Sequence, residues 1–166
     1  MRGIKSYIII GIIFVSVLGT FLHFAYDLSD SNFIIGLFTP INESIWEHTK
    51  LIYFPMLIYS IYLNIKLKDK YPCIFSAMIL GAIFGVILII TLFYTYSGII
   101  GYNLSFIDIL IFYVSVIFSF YMAYKLALSC KTNKFNILFQ FLNILMIFLF
   151  IFFTIYPPQI PLFISP

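Results

Sequence analysis

Apolar residues run along this chain in five long blocks, with no two-residue alternation of the kind a half-buried strand shows. The first block covers about residues 5–26 and is broken by the polar residues Ser6, Ser16, Thr20 and His23. The others cover about 41–65, 73–96, 105–126 and 135–156. Each is long enough for a helix of about 20 residues to cross a hydrocarbon core, whereas a barrel strand needs only about ten residues with dyad patterning. The pattern predicts an all-α polytopic fold, one transmembrane helical domain over 1–166 built as a bundle of five transmembrane helices.

Local signals set the boundaries. Asp27 to Thr39 is rich in turn formers, and Thr39-Pro40 predicts a helix start with proline in the first position. The second block ends in the solvated run Lys66-Leu67-Lys68-Asp69-Lys70, closed by Pro72. In the third block Ala77, Gly81 and Gly85 recur every four residues, a small-residue seam for helix packing or, alternatively, for a homo-oligomer. The tail from Pro157 is too rich in proline for regular helix. Cleavage of a signal peptide after Ala25 is disfavoured, because the apolar run exceeds the about 7–15 residues of a signal core.

The basic residues orient the bundle. Arg2, Lys5, Lys66, Lys68, Lys70, Lys125, Lys131 and Lys134 all fall on one side, so the positive-inside rule predicts a cytoplasmic N-terminus and an external tail. Lys50 is the exception. Only fifteen residues separate it from Lys66, a rise of about 22 Å against a core about 30 Å thick. The turn before Lys50 is therefore drawn into the outer part of the membrane, and the same arithmetic draws in Asp108 ahead of Lys125.

Composition agrees with the pattern: 63% of residues are hydrophobic and 9% charged, with a mean hydropathy of +1.12, where soluble domains carry about 25% charged residues. The expected partner is a lipid bilayer, the expected location the cell membrane. A net charge of +3 spread over helix ends excludes nucleic acid. Cys73 and Cys130 sit at ends assigned to the cytoplasm and are expected to be reduced thiols.

Against this background the stretch Asn42-Glu43-Ser44-Ile45-Trp46-Glu47-His48-Thr49-Lys50 concentrates chemistry. Helical spacing lines Glu43, Glu47 and Lys50 along one stripe with His48 beside it. His23 and Asp27 form a second stripe, and Asp108 lies on a third helix. Charges within a span face the bundle interior, since lipid exposure costs about 2.5–3.5 kcal/mol each at mid-membrane. Trp46 reads as an anchor at the interface, and Pro55 frees the carbonyl of Leu51.

Three readings follow. In the first, the polar groups form a structural or binding network beneath the outer surface. In the second, His23, Asp27 and His48 ligate zinc or another divalent metal, Glu43, Glu47 and Lys50 supply acid–base or anion-stabilising groups, and Asn42, Trp46 and Asp108 contribute to binding. That site would make a membrane hydrolase or transferase for an outer-leaflet lipid or lipid-linked substrate. In the third, the chain is an accessory subunit of a transport or assembly complex. Glu47 and His48 are adjacent, so they point about 100° apart on a helix and do not easily reach one ion.

Leu22 to Asp27 (LHFAYD), Asn42 to Leu51 (NESIWEHTKL) with Phe54-Pro55, and Pro157 to Phe163 (PPQIPLF) together resemble a family of small uncharacterised bacterial multi-pass membrane proteins carrying an NES-x-WEH-x-K motif. The resemblance spans most of the chain. It implies a multi-pass membrane protein and no particular activity, and it suggests that the tail folds back over the outer site.

Overall fold

The computed structural model of this chain describes residues 3–130 and 136–166. Arg2, Lys131, Lys134 and the first residue of the fifth predicted span lie outside them. Among the described residues the elements are α1 (Ile4–Leu28), α2 (Phe33–Gly36), α3 (Ile45–Leu67), α4 (Ile74–Ile100), α5 (Ser105–Ser129), α6 (Asn136–Ile155) and a 3-10 turn at Pro161–Phe163. All of them are helical. Four helices, α1, α4, α5 and α6, are long and apolar enough to cross a membrane.

The remaining long helix, α3, is where the charged motif lies. Fourteen of its 23 residues are buried, in a nearly unbroken run from Ile45 to Met56, so every face of its first half is covered by protein. It is packed by α1, α4, α6 and the 3-10 turn. The enclosed half has no lipid-facing stripe to keep apolar, which is why it can hold ionisable groups that its neighbours cannot, whereas the second half exposes Ile58, Ile61 and Ile65. By contrast α6 buries only Phe150.

Close approach between helices is set by small residues. Ile4, Ile8, Gly11, Val15 and Gly19 form the buried stripe of α1. A Cβ on Gly19 would stand 2.6 Å from the carbonyl oxygen of Leu51, the group that Pro55 leaves without its helical amide partner. The packing of α1 therefore covers the carbonyl that proline frees. On α4, a Cβ on Gly81 would lie 2.6 Å from the Ser119 carbonyl of α5, and Gly85 is closed in by the Ser119 side chain and Ile52. The predicted small-residue seam is thus filled by α5 of the same chain. Since lipid tails are as apolar as leucine, such contacts hold helices together by dispersion and close packing. Gly101, with φ of +90°, ends α4 in a left-handed turn suited to glycine and lets α5 run back antiparallel.

That antiparallel return overturns the expectation of reduced thiols. Cys73 precedes α4 and Cys130 ends α5, so the two meet at one end of the helix pair, with Cα atoms 5.4 Å apart, and are joined in a disulfide. It lies at the lysine-bearing end of the bundle.

Candidate functional site

The motif begins with a turn. The Asn42 side-chain oxygen accepts from Ser44 N–H at 2.9 Å, and the Ser44 hydroxyl accepts from Glu47 N–H at 3.4 Å, capping α3. The helix therefore starts at Ile45 rather than at Pro40, because the capping side chains sit at 42 and 44. This shift separates the expected stripe: Glu43 lies on the turn before the helix, while Glu47 and His48 leave the first helical turn in different directions.

Glu47 and Lys50 turn inward together. Lys50 Nζ donates to Glu47 Oε2 at 2.6 Å, to the Gly36 carbonyl at 2.9 Å and to the Thr39 carbonyl at 3.2 Å, which uses all three of its protons. Glu47 Oε2 also accepts from Ile41 N–H at 3.1 Å, and Thr154 Oγ1 of α6 lies 2.9 Å from Oε1. Glu47 and Lys50 are 2% and 0% exposed. The pair fastens α2, the 39–41 turn, α3 and α6 at one point.

His48 and Glu43 turn the other way, toward α1. His48 Nδ1 lies 2.9 Å from the Ser44 carbonyl, which can only accept, so Nδ1 carries the proton. Its Nε2 then faces His23 Nε2 at 3.1 Å and Glu43 Oε2 at 3.3 Å. A neutral His48 would place a lone pair against a carboxylate oxygen, so the geometry calls for a proton or a cation between them. The three ligand atoms lie within 4.8 Å of one another. In tetrahedral coordination with bonds of about 2.0–2.1 Å, ligand atoms are about 3.3 Å apart. The backbone carbonyl holding Nδ1 is the kind of outer partner that orients a metal-ligating imidazole.

The family model for a family of unknown function, DUF6512, matches residues 1–165. The chain belongs to that family. No curated protein and no solved structure matches it.

In this DUF6512 chain the other expected site residues are dispersed. Asp27, one turn beyond His23, is exposed, and the converging donor set is His23, Glu43 and His48. The helical step that separates Asp27 from His23 carries it past the level at which α3 begins. Asp108 accepts from the Tyr96 hydroxyl, which in turn accepts from Leu104 N–H at 3.0 Å. It sits in the first turn of α5, where the helix dipole favours a carboxylate. Asp108, His23, Glu43 and His48 line one cavity of ≈ 620 Å³.

Trp46 is not an interfacial anchor. It is 7% exposed, with ring centroids 4.9 Å from Phe150, 5.6 Å from Phe153 and 5.2 Å from Phe163. The tail thus folds back onto the start of α3, Phe163 covering the indole. Two participants escaped the sequence reading. Thr154 had a signal, being the one hydroxyl between Ile144 and Ile155. Tyr96 had none, since the chain contains 13 tyrosines and many lie near helix ends.

Proposed function

We propose that this is a five-span protein of the cell membrane whose cleft at the lysine-poor end binds a divalent metal through His23, Glu43 and His48, and acts on an outer-leaflet substrate. The observation that carries the reading is the triangle formed by the two Nε2 atoms and the Glu43 oxygen, with His48 Nδ1 tied to the Ser44 carbonyl. Three protein ligands and an adjoining cavity are the arrangement of a catalytic rather than a closed structural site. A divalent ion there would polarise an ester or phosphoryl oxygen. Asp108, across the same cavity, is the proton acceptor for the attacking water and returns the proton to the leaving alcohol.

Helix α3 counts as the fifth span: its 23 residues give a rise of about 34 Å, more than the about 30 Å of the hydrocarbon core. Lys5, Lys66, Lys68, Lys70 and Lys125 support a cytoplasmic N-terminus and an external cleft. Glu47 and Lys50 act as a structural brace in this scheme, because every Lys50 donor is already used inside the protein.

Purified protein is expected to retain one equivalent of zinc, manganese or iron after desalting, and His23→Ala, His48→Ala and Glu43→Gln are expected to lose it while remaining folded. Metal content near zero in the native protein after incubation with each ion would overturn the site. Retention in all three variants would do the same.

A further inference from the structure

The cavity beside the cluster changes character with depth. At the lysine-poor end its wall holds Glu43, Asn103 and Ser105; near the next level come His23, His48 and Asp108; deeper still come Leu51, Ile89 and Ile111. Each level lies about one helical turn, about 5.4 Å, from the last. The deepest side chains are 5%, 7% and 8% exposed, so they form a closed apolar floor. Polar groups near the helix ends over an apolar floor nearer mid-bundle reproduce the polarity profile of one bilayer leaflet.

The cavity also opens sideways. Phe24 of α1 and Ile109 of α5 line it and are 55% and 57% exposed. They stand on a flank that continues into exposed Phe21 and Leu110, a surface suited to acyl chains. Gly19 and Thr20 bound the opening from below, where α1 packs against Phe112 of α5 and the Thr20 hydroxyl lies 3.2 Å from that of Tyr113 across the α1–α5 seam. Among the described residues the side chains of the wall include the carboxylates of Glu43 and Asp108 and neither Lys nor Arg. With a divalent ion in place those charges cancel, which suits a head group of no net charge. The volume of ≈ 620 Å³ falls within the about 300–1,000 Å³ of small-molecule sites.

We infer that the cavity takes an acyl lipid with a net-neutral head, entering from the bilayer between α1 and α5, its head at the level of His23, Glu43 and His48 and its chain on Leu51, Ile89 and Ile111. The position of the head rests on the metal reading; the position of the chain does not.

The test uses the full chain in phosphatidylethanolamine vesicles containing a trace of phosphatidylethanolamine with a diazirine in its acyl chain, irradiated and mapped by peptide mass spectrometry. Label is expected on the buried residues Leu51, Ile89 or Ile111 as well as on lipid-facing Phe21. Thr20→Phe, which fills the opening, is expected to lower the buried label several-fold and leave the Phe21 label and the metal content unchanged. Thr20→Val, which removes only the hydroxyl, controls for folding. Label confined to exposed side chains would overturn the inference, as would buried label indifferent to Thr20→Phe. Equal buried labelling by an anionic phosphatidylglycerol probe would overturn the neutral head. Metal-free protein that still labels Leu51 sinks the metal site alone, and metal-loaded protein without buried label sinks the lipid pocket alone.

Discussion

Replacing Lys50 with Met is the sharpest test of the buried brace. The side chain is 0% exposed, and its loss leaves the Glu47 carboxylate, itself 2% exposed, without its counter-charge. It also leaves the Gly36 and Thr39 carbonyls without their shared donor. Breaking a buried pair from one side costs about 3–5 kcal/mol, mostly because the remaining charge is uncompensated. Against a total stability of about 5–15 kcal/mol, that is a large fraction. Denaturation of the detergent-solubilised protein should therefore show a much lower midpoint for Lys50→Met. The double variant Glu47→Leu with Lys50→Met should be less damaged than Lys50→Met alone. It no longer buries a lone charge and loses only the bonds to Gly36, Thr39, Ile41 and Thr154. A Lys50→Met protein within about 1 kcal/mol of the native one would refute the reasoning, since that is the cost expected of a surface pair. A double variant as unstable as the two single losses summed would refute it as well.

Three further outcomes are expected. Phe163→Ala should shift the emission of Trp46, the only tryptophan, to longer wavelength and open it to a soluble quencher; unchanged emission would mean that the tail does not cover it. Gly19→Ala would bring a methyl carbon 2.6 Å from the Leu51 oxygen and 2.7 Å from the Phe112 ring, an overpacking that costs about 1–3 kcal/mol. Gly3→Ala, which meets nothing within 4 Å, should be neutral, and equal effects would contradict the α1–α3 packing. Cys73 and Cys130 lie at the end that the lysines assign to the cytoplasm, where thiols are kept reduced. Alkylation of the purified, unreduced protein should nonetheless leave both unmodified, because they are joined in the disulfide, and alkylation after a reductant should capture both; free thiols before reduction would contradict the meeting of α4 and α5 at that end.

Much of the helical framework was legible because long apolar blocks ended by Lys, Pro and turn residues leave the backbone few alternatives to helix. The start of α3 was not, because Pro40 and Ser44 are both acceptable openings and the choice depends on which side chains cap. Ser44 wins once Asn42 has formed its turn. For the site, His23 and His48 were legible as an excess of imidazole in an oily chain. The exchange of Asp27 for Glu43 was not legible, nor was the withdrawal of Glu47 and Lys50 into a separate network. Adjacent positions on α3 point to different neighbours, and no helical wheel says which neighbour is where.

The linear order of residues by itself determined that the long apolar blocks become helices, of which four of the five expected as spans are long and apolar enough to cross a membrane, and that the ionisable groups must avoid lipid. These follow from local hydrogen bonding and from the cost of desolvating charge, both of which act residue by residue. Only the tertiary structure decided that the first half of α3 lies enclosed, that Thr154 and the Gly36 carbonyl meet Glu47 and Lys50, and that His23 stands 3.1 Å from His48. Those distances depend on how far each helix rotates and slides against its neighbours. That is settled by the summed contacts of Gly11, Gly19, Gly81 and Gly85 with side chains far away in sequence, a quantity that no single segment contains.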